Sequence, residues 1–169
     1  MHDLPPDLVE LAKAVLMAAK ERSKRIVTAE SCTGGLLTGC LTANAGSSDV
    51  IDCGFITYSN ESKSRLLGVP RDAIKDHGAV SDLVASAMAE GALAQSDADM
   101  AVSITGIAGP GGGSKEKPVG LVYMALAQTG EDAMVKRYVF AGTRSDVRRA
   151  AVGAALELVL SSLKDDDED

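Results

Sequence analysis

Short apolar runs with strand character alternate with helical stripes along the first hundred residues, and only later do two such runs follow each other without a helix between them. That order constrains the fold more than any other feature. Parallel strands need long crossover connections, usually helices, whereas a short "TGED" link such as residues 129–132 makes a hairpin. The chain is therefore expected to be an α/β protein: a three-layer α/β/α single domain with a mixed sheet.

Apolar residues at 8, 11, 12, 15, 16 and 19 form the stripe of a helix laid against a core, and Pro5 and Pro6 suit its first turn. "RIVTA" (25–29) reads as a buried strand and "GGLLTGCLTAN" (34–44) as a helix closed by Asn44 and Gly46. Residues 50–59 are the next strand. A short helix follows from Asn60, read as its N-cap, to Leu67, and Gly68 ends it. Another begins after Pro70, and 81–95 is an Ala-rich helix capped by Ser81. Strands at 100–106, 121–128 and 134–140 precede a last helix over 145–163. No internal repeat or linker interrupts residues 1–164, which read as one domain. The closing "DDDED" (165–169) reads as a disordered acidic tail.

That tail carries five of the seven net negative charges, so the domain itself is close to neutral and is no phosphate-backbone binder. Two Phe, three Tyr and no Trp leave no stacking platform for single-stranded nucleic acid. No apolar run is long enough to span a bilayer, and the charged N-terminus does not resemble a signal peptide. An odd set of cysteines, Cys32, Cys40 and Cys53, fits reduced thiols and a cytoplasmic location. His2 and His77 are far apart and no cysteine pair has zinc spacing, so neither metal nor cofactor is expected. A homo-oligomer is left open.

Three glycine-marked junctions follow predicted strands, at 30–35, 105–113 and 141–145. In an open α/β sheet, ligands bind beyond the carboxyl ends of strands, where helix N-termini present free N–H groups to anions. Ser31, Tyr58, Thr105 and Arg144 all fall there and converge on one crevice if their strands are parallel. Ser31 in "AESCTGG" is placed as a nucleophile at a strand-to-helix turn is, or as a plain N-cap. Histidine is scarce and His77 sits in a charged loop, so Lys63 is the candidate base. A lysine desolvated near a helix N-terminus loses its proton more readily. Tyr58 is a candidate proton relay or merely packs at a strand end. If the chain stays extended past the strand, Ser31 and Cys32 point opposite ways and only one faces the site. An arrangement of Glu30, Lys63 and Cys32 as an amidase triad is the thiol alternative. Thr105, Gly106, Gly109, Gly111 and Gly112 let backbone approach a phosphate or sugar. Arg144 and Arg148, four apart on the last helix, are placed to clamp a phosphate together, unless they are solvated and bridge to Asp146.

Five ordered motifs, "TAESCTGG", "GFITYSNESKSRLLGV", "GAVSDLVASAMAEGA", "SITGIAGPGGG" with "KPVGLVYMAL", and "FAGTRSDVRRAAV", together resemble the CinA C-terminal domain family over residues 8–163. The resemblance implies an amidohydrolase that converts nicotinamide mononucleotide to nicotinate mononucleotide and ammonia, in recycling of pyridine nucleotides, without a metal. It implies Ser31 as nucleophile with Lys63 and Tyr58 as partners. Glu30, Cys32, Thr33, Gly34, Gly35, the glycine-rich loop and the two arginines would surround a small-molecule nucleotide. Thr143 departs from the acidic or amide residue frequent in the family before the arginine, which bears on the phosphate end. Many relatives carry a molybdopterin-binding-like domain ahead of this one. With no room for it here, its pyrophosphatase activity is expected to be absent. The alternatives are a non-catalytic nucleotide sensor and an interaction domain tied to competence or DNA damage.

Overall fold

A computed structural model describes residues 3–165. Helix α1 (Pro6–Glu21) leads into strand β1 (Ile26–Glu30), followed by α2 (Leu36–Thr42), a 3-10 turn at Ser47–Asp49, and β2 (Ile51–Ile56). Then come α3 (Asn60–Leu67), α4 (Arg71–His77), α5 (Asp82–Ala94), β3 (Met100–Gly106), β4 (Leu121–Gln128), β5 (Met134–Val139) and α6 (Arg144–Asp165). The strands form one sheet in the order β2-β1-β3-β4-β5. β1 is parallel to β2 and β3, while β3–β4 and β4–β5 are antiparallel, so the sheet is mixed as expected.

Period-two alternation along the strands sorts the core into two layers. Ile26, Met100, Val102, Ile104, Val122 and Met124 face α1, α2 and α6, where Leu16, Leu37, Leu156 and Leu163 are buried. Val27, Ala29, Ala101 and Ala125 face α5 and the end of α3, through Val84, Met88, Ala92 and Leu67. The second layer is built from small side chains, which lets α5 lie close to the sheet. Gly91 lets α5 approach the end of α3 as well: a Cβ there would stand 1.9 Å from the Leu67 carbonyl oxygen.

Several boundaries differ from the sequence reading for local reasons. Ser59 rather than Asn60 caps α3, accepting from Ser62 N–H, and Asn60 becomes the first helical residue. β2 stops at Ile56, so Thr57 and Tyr58 lie in the loop after it. Thr143 and Asp146 cap α6 reciprocally: Asp146 Oδ2 accepts from Thr143 N–H and Oγ1, and Thr143 Oγ1 from Asp146 N–H. Asp165, assigned to the tail, belongs to α6; residues 166–169 lie outside the described residues.

Because β5 is antiparallel to β4 and β4 to β3, β5 runs the same way as β1, β2 and β3. The carboxyl ends of all four strands therefore share one edge of the sheet.

Candidate active site

A cleft of about 280 Å³ opens at that edge, bordered by Ser31, Cys32, Tyr58, Asn60, Lys63, Ala79, Val80, Thr105, Gly106, Ile107, Ala108, Gly109, Gly111, Gly112 and Arg144. Its floor holds Ser31 and Lys63. Lys63 lies in the first turn of α3, 1% exposed, and its Nζ is 2.9 Å from Ser31 Oγ and 2.7 Å from the Thr57 carbonyl oxygen. Burial lowers the Lys63 pKa from 10.5 to about 8, with the neighbouring Cys32 opposing. The partial positive end of α3 acts in the same sense as burial. An amine that is neutral in a substantial fraction near physiological pH, within hydrogen-bond distance of a serine hydroxyl, is chemically able to take its proton.

Ser31 is not a helix cap. The N-cap of α2 is Gly35, and no side chain caps it. Instead, β1 ends at Glu30 and the chain turns back on itself, with Gly34 N–H donating to the Ser31 carbonyl and Leu36 N–H to the Thr33 carbonyl. Gly34 and Gly35 take φ of 57° and 98°, left-handed backbone that any other residue occupies at a cost of about 1 kcal/mol or more. At Gly35 space is also lacking, since a Cβ would stand 2.9 Å from Ile56 Cδ1. Strand alternation carries past Glu30: Ser31 N–H still donates to the Ile104 carbonyl, Ser31 Oγ meets Lys63 on α3, and Cys32 packs in the core layer of Ile26 and Val102 while bordering the cleft. Cys32 is 7% exposed, and burial pushes its thiol pKa up to about 11.

Glu30 points away from the cleft. Its carboxylate is fully buried and accepts from Leu37 N–H, Thr38 N–H and Thr38 Oγ1, at 2.9, 3.0 and 2.7 Å. Those are first-turn donors of α2, so the carboxylate anchors that helix N-terminus, and an acid–amine–thiol triad has no free carboxylate. Thr33, Gly34 and Gly35 shape the turn but do not border the cleft. Thr105 does, although its hydroxyl donates to the Ala79 carbonyl at 2.9 Å and so pins the 78–80 turn as the opposite wall.

The two arginines part company. Arg144 reaches the cleft, donating to the Gly109 carbonyl at 2.9 Å and to Tyr58 Oη at 3.0 Å. Tyr58 is 61% exposed and stands at the mouth rather than on the Ser31–Lys63 pair. Arg148, one turn further along α6, lies beneath the 31–35 turn and donates to the carbonyls of Cys32 (3.2 Å) and Thr33 (3.0 Å). Neither arginine bridges to Asp146; Arg149 instead pairs with Asp7 on α1.

Two participants escape sequence reasoning. The Thr57 carbonyl that holds Lys63 is backbone, and no side-chain pattern announces it. Asn60 was legible as polar, but its cap propensity pointed to the wrong job; it borders the cleft three residues before Lys63 on the same helical face. Among the described residues, no cluster of three His, Cys, Asp or Glu side chains is placed to hold a metal, and no helix is long and apolar enough to cross a membrane.

A mixed-sheet α/β/α domain with a serine and a buried lysine at the strand ends is the class of protein defined here. The model of the CinA C-terminal domain matches residues 8–163, and the chain belongs to that family. It is 48% identical over 151 residues, 89% of this chain and 92% of the relative, to the nicotinamide-nucleotide amidohydrolase PncC of Escherichia coli K12. It is 46% identical to a putative competence-damage inducible protein of Caldicellulosiruptor bescii, covering 92% of this chain and 38% of that one. Among solved structures, the competence/damage inducible protein CihA of Agrobacterium tumefaciens superposes with a TM-score of 0.92 at 45% identity, covering 97% of this chain and 99% of that one.

Proposed function

We propose that the chain hydrolyses the carboxamide of nicotinamide mononucleotide to nicotinate mononucleotide and ammonia, with Ser31 as nucleophile and Lys63 as general base. That it is an amidohydrolase rests on the E. coli relative, matched nearly end to end. The observation that carries the residue roles is the buried Lys63 Nζ at 2.9 Å from Ser31 Oγ, with a pKa lowered to about 8. A module that only senses a nucleotide has no use for a desolvated amine on a serine.

Neutral Lys63 accepts the Ser31 proton as Oγ bonds to the carboxamide carbon, and the C=O π pair moves to oxygen. The Thr57 carbonyl holds a second hydrogen of the amine, which keeps the nitrogen lone pair on Ser31. The backbone N–H of Cys32, the residue directly after the nucleophile, receives the oxyanion. The C–N bond then breaks, and Lys63 returns the proton so that ammonia leaves. Water attacks the resulting ester, giving its proton to Lys63, and the carboxylic acid departs as Ser31 is reprotonated. Cys32, with its thiol held protonated by burial, stays a spectator. Arg144 and the backbone of Gly109, Gly111 and Gly112 grip the phosphate, and Tyr58 orients Arg144 at the mouth.

Ammonia release from nicotinamide mononucleotide, its riboside and free nicotinamide tests this reading. The mononucleotide should be the best substrate by far, because phosphate binding aligns the distant amide. Arg144→Ala should cost about 2 kcal/mol, roughly thirtyfold in kcat/KM, on the mononucleotide and little on the riboside. Equal losses on both would place the phosphate away from Arg144. No ammonia from any of the three would end the amidase reading of this substrate class.

A further inference from the structure

We infer that Thr105 is the specificity-determining residue that reads the substrate as an amide rather than an acid; the inference rests on the amidase reading and on Ser31 as nucleophile. The sheet itself brings the two side chains together. β1 and β3 are parallel with Glu30 paired to Ile104, and Ser31 N–H donates to the Ile104 carbonyl, so the register continues one step to Ser31 beside Thr105. Residues paired on neighbouring strands lie about 5 Å apart and point to the same face. The contacts agree. Ser31 Oγ meets Lys63 of α3, and Thr105 Oγ1 meets the Ala79 carbonyl in the turn that leads into α5, on the face that α3 and α5 cover. Both residues border the cleft.

The chemistry follows from where the one hydroxyl hydrogen goes. A carbonyl oxygen can only accept, so Thr105 donates its hydrogen to Ala79 at 2.9 Å and keeps only lone pairs for any other partner. No group among the described residues donates to that oxygen. Thr105 is 1% exposed, so an unmatched acceptor there costs more than one at the surface. A carboxamide meets such a site with an N–H, whereas an ionised carboxylate brings only acceptors. With the substrate oxygen on the Cys32 N–H, the amide nitrogen is the substituent left for Thr105. After hydrolysis the same place holds a carboxylate oxygen, lone pair against lone pair, which favours release of the product. The side-chain amide of Asn60 also borders the cleft, but it has no such bias, because rotation about its last bond presents either a donor or an acceptor.

The test compares nicotinamide mononucleotide with the methyl ester of nicotinate mononucleotide, which keeps the ring, sugar and phosphate and has no N–H to donate. Both pass through the same acyl-enzyme and give the same acid, so one chromatographic assay follows both and kcat/KM reports acylation in each. Thr105→Val, close in shape and without the hydroxyl, should lower kcat/KM on the amide about tenfold relative to the ester. Inhibition by nicotinate mononucleotide should hold or tighten, since a repelling lone pair has gone. Thr105→Ser keeps the oxygen and its bond to Ala79, and should keep both the ratio and the product inhibition. Lys117→Met is the control for a loosened wall. It removes the amine that donates to the His77 carbonyl beside the same turn, and should change amide and ester alike. Thr105→Ala answers the question if Thr105→Val does not fold. Three results overturn the inference and leave the amidase reading standing: an unchanged amide-to-ester ratio in a folded variant without the hydroxyl, product affinity that falls along with the amide, or the same ratio shift in Lys117→Met. An unaltered protein that makes the acid from neither substrate sinks the amidase reading, and the inference with it.

Discussion

Replacing Lys63 by Met should lower kcat by about 10⁴-fold, the upper range for loss of a general base, while the chain stays folded. Methionine fills a similar volume in the buried slot and carries no charge. Ammonia release by the unmodified protein should follow the unprotonated fraction of Lys63. With a pKa lowered by burial to about 8 in the free protein, kcat/KM falls about tenfold per pH unit below that value and levels off above it. The sign is set by desolvation: burial disfavours the ammonium, so the working neutral form gains at the expense of the charged one. A pH profile flat between 6 and 9 would remove Lys63 from the reaction.

Ser31→Ala should be as damaging as Lys63→Met, and the double variant no worse than either alone, because the two act as one unit. Cys32→Ala should keep kcat within about threefold, since the thiol's pKa of about 11 leaves almost no thiolate at neutral pH. Loss of activity in Cys32→Ala with Ser31→Ala still active would reverse the assignment.

The parts of this account that were legible in the sequence are those where a residue's own neighbours along the chain decide its conformation. The β3 boundaries, the cap at Ser81, the stop at Gly68 and the hairpin link are of that kind. So is the pairing of a serine at one strand end with a lysine one helical turn past another, once the strands are taken as parallel. What stayed hidden depends on which element packs opposite. Arg144 and Arg148 share a helix face by spacing, yet the Gly109 loop lies over the first and the nucleophile turn over the second. Glu30 adjoins the serine in sequence, but its strand parity turns it to α2, where three donors wait. The same parity holds one residue past the strand, where Ser31 N–H still donates to the Ile104 carbonyl: Ser31 faces Lys63, and Cys32 packs as a small buried thiol in the core layer of Ile26. Beyond Cys32 the course of the chain is set by two adjacent left-handed glycines.

Trapping the covalent intermediate tests the central claim most directly. Nicotinamide mononucleotide mixed with the protein and quenched in acid within the first turnover, then digested and fragmented in a mass spectrometer, locates the acyl group on a single residue. An ester on Ser31, absent from the Ser31→Ala protein and still formed by Cys32→Ala, is the result predicted here. A thioester on Cys32, or turnover by Ser31→Ala at the normal rate, would contradict it.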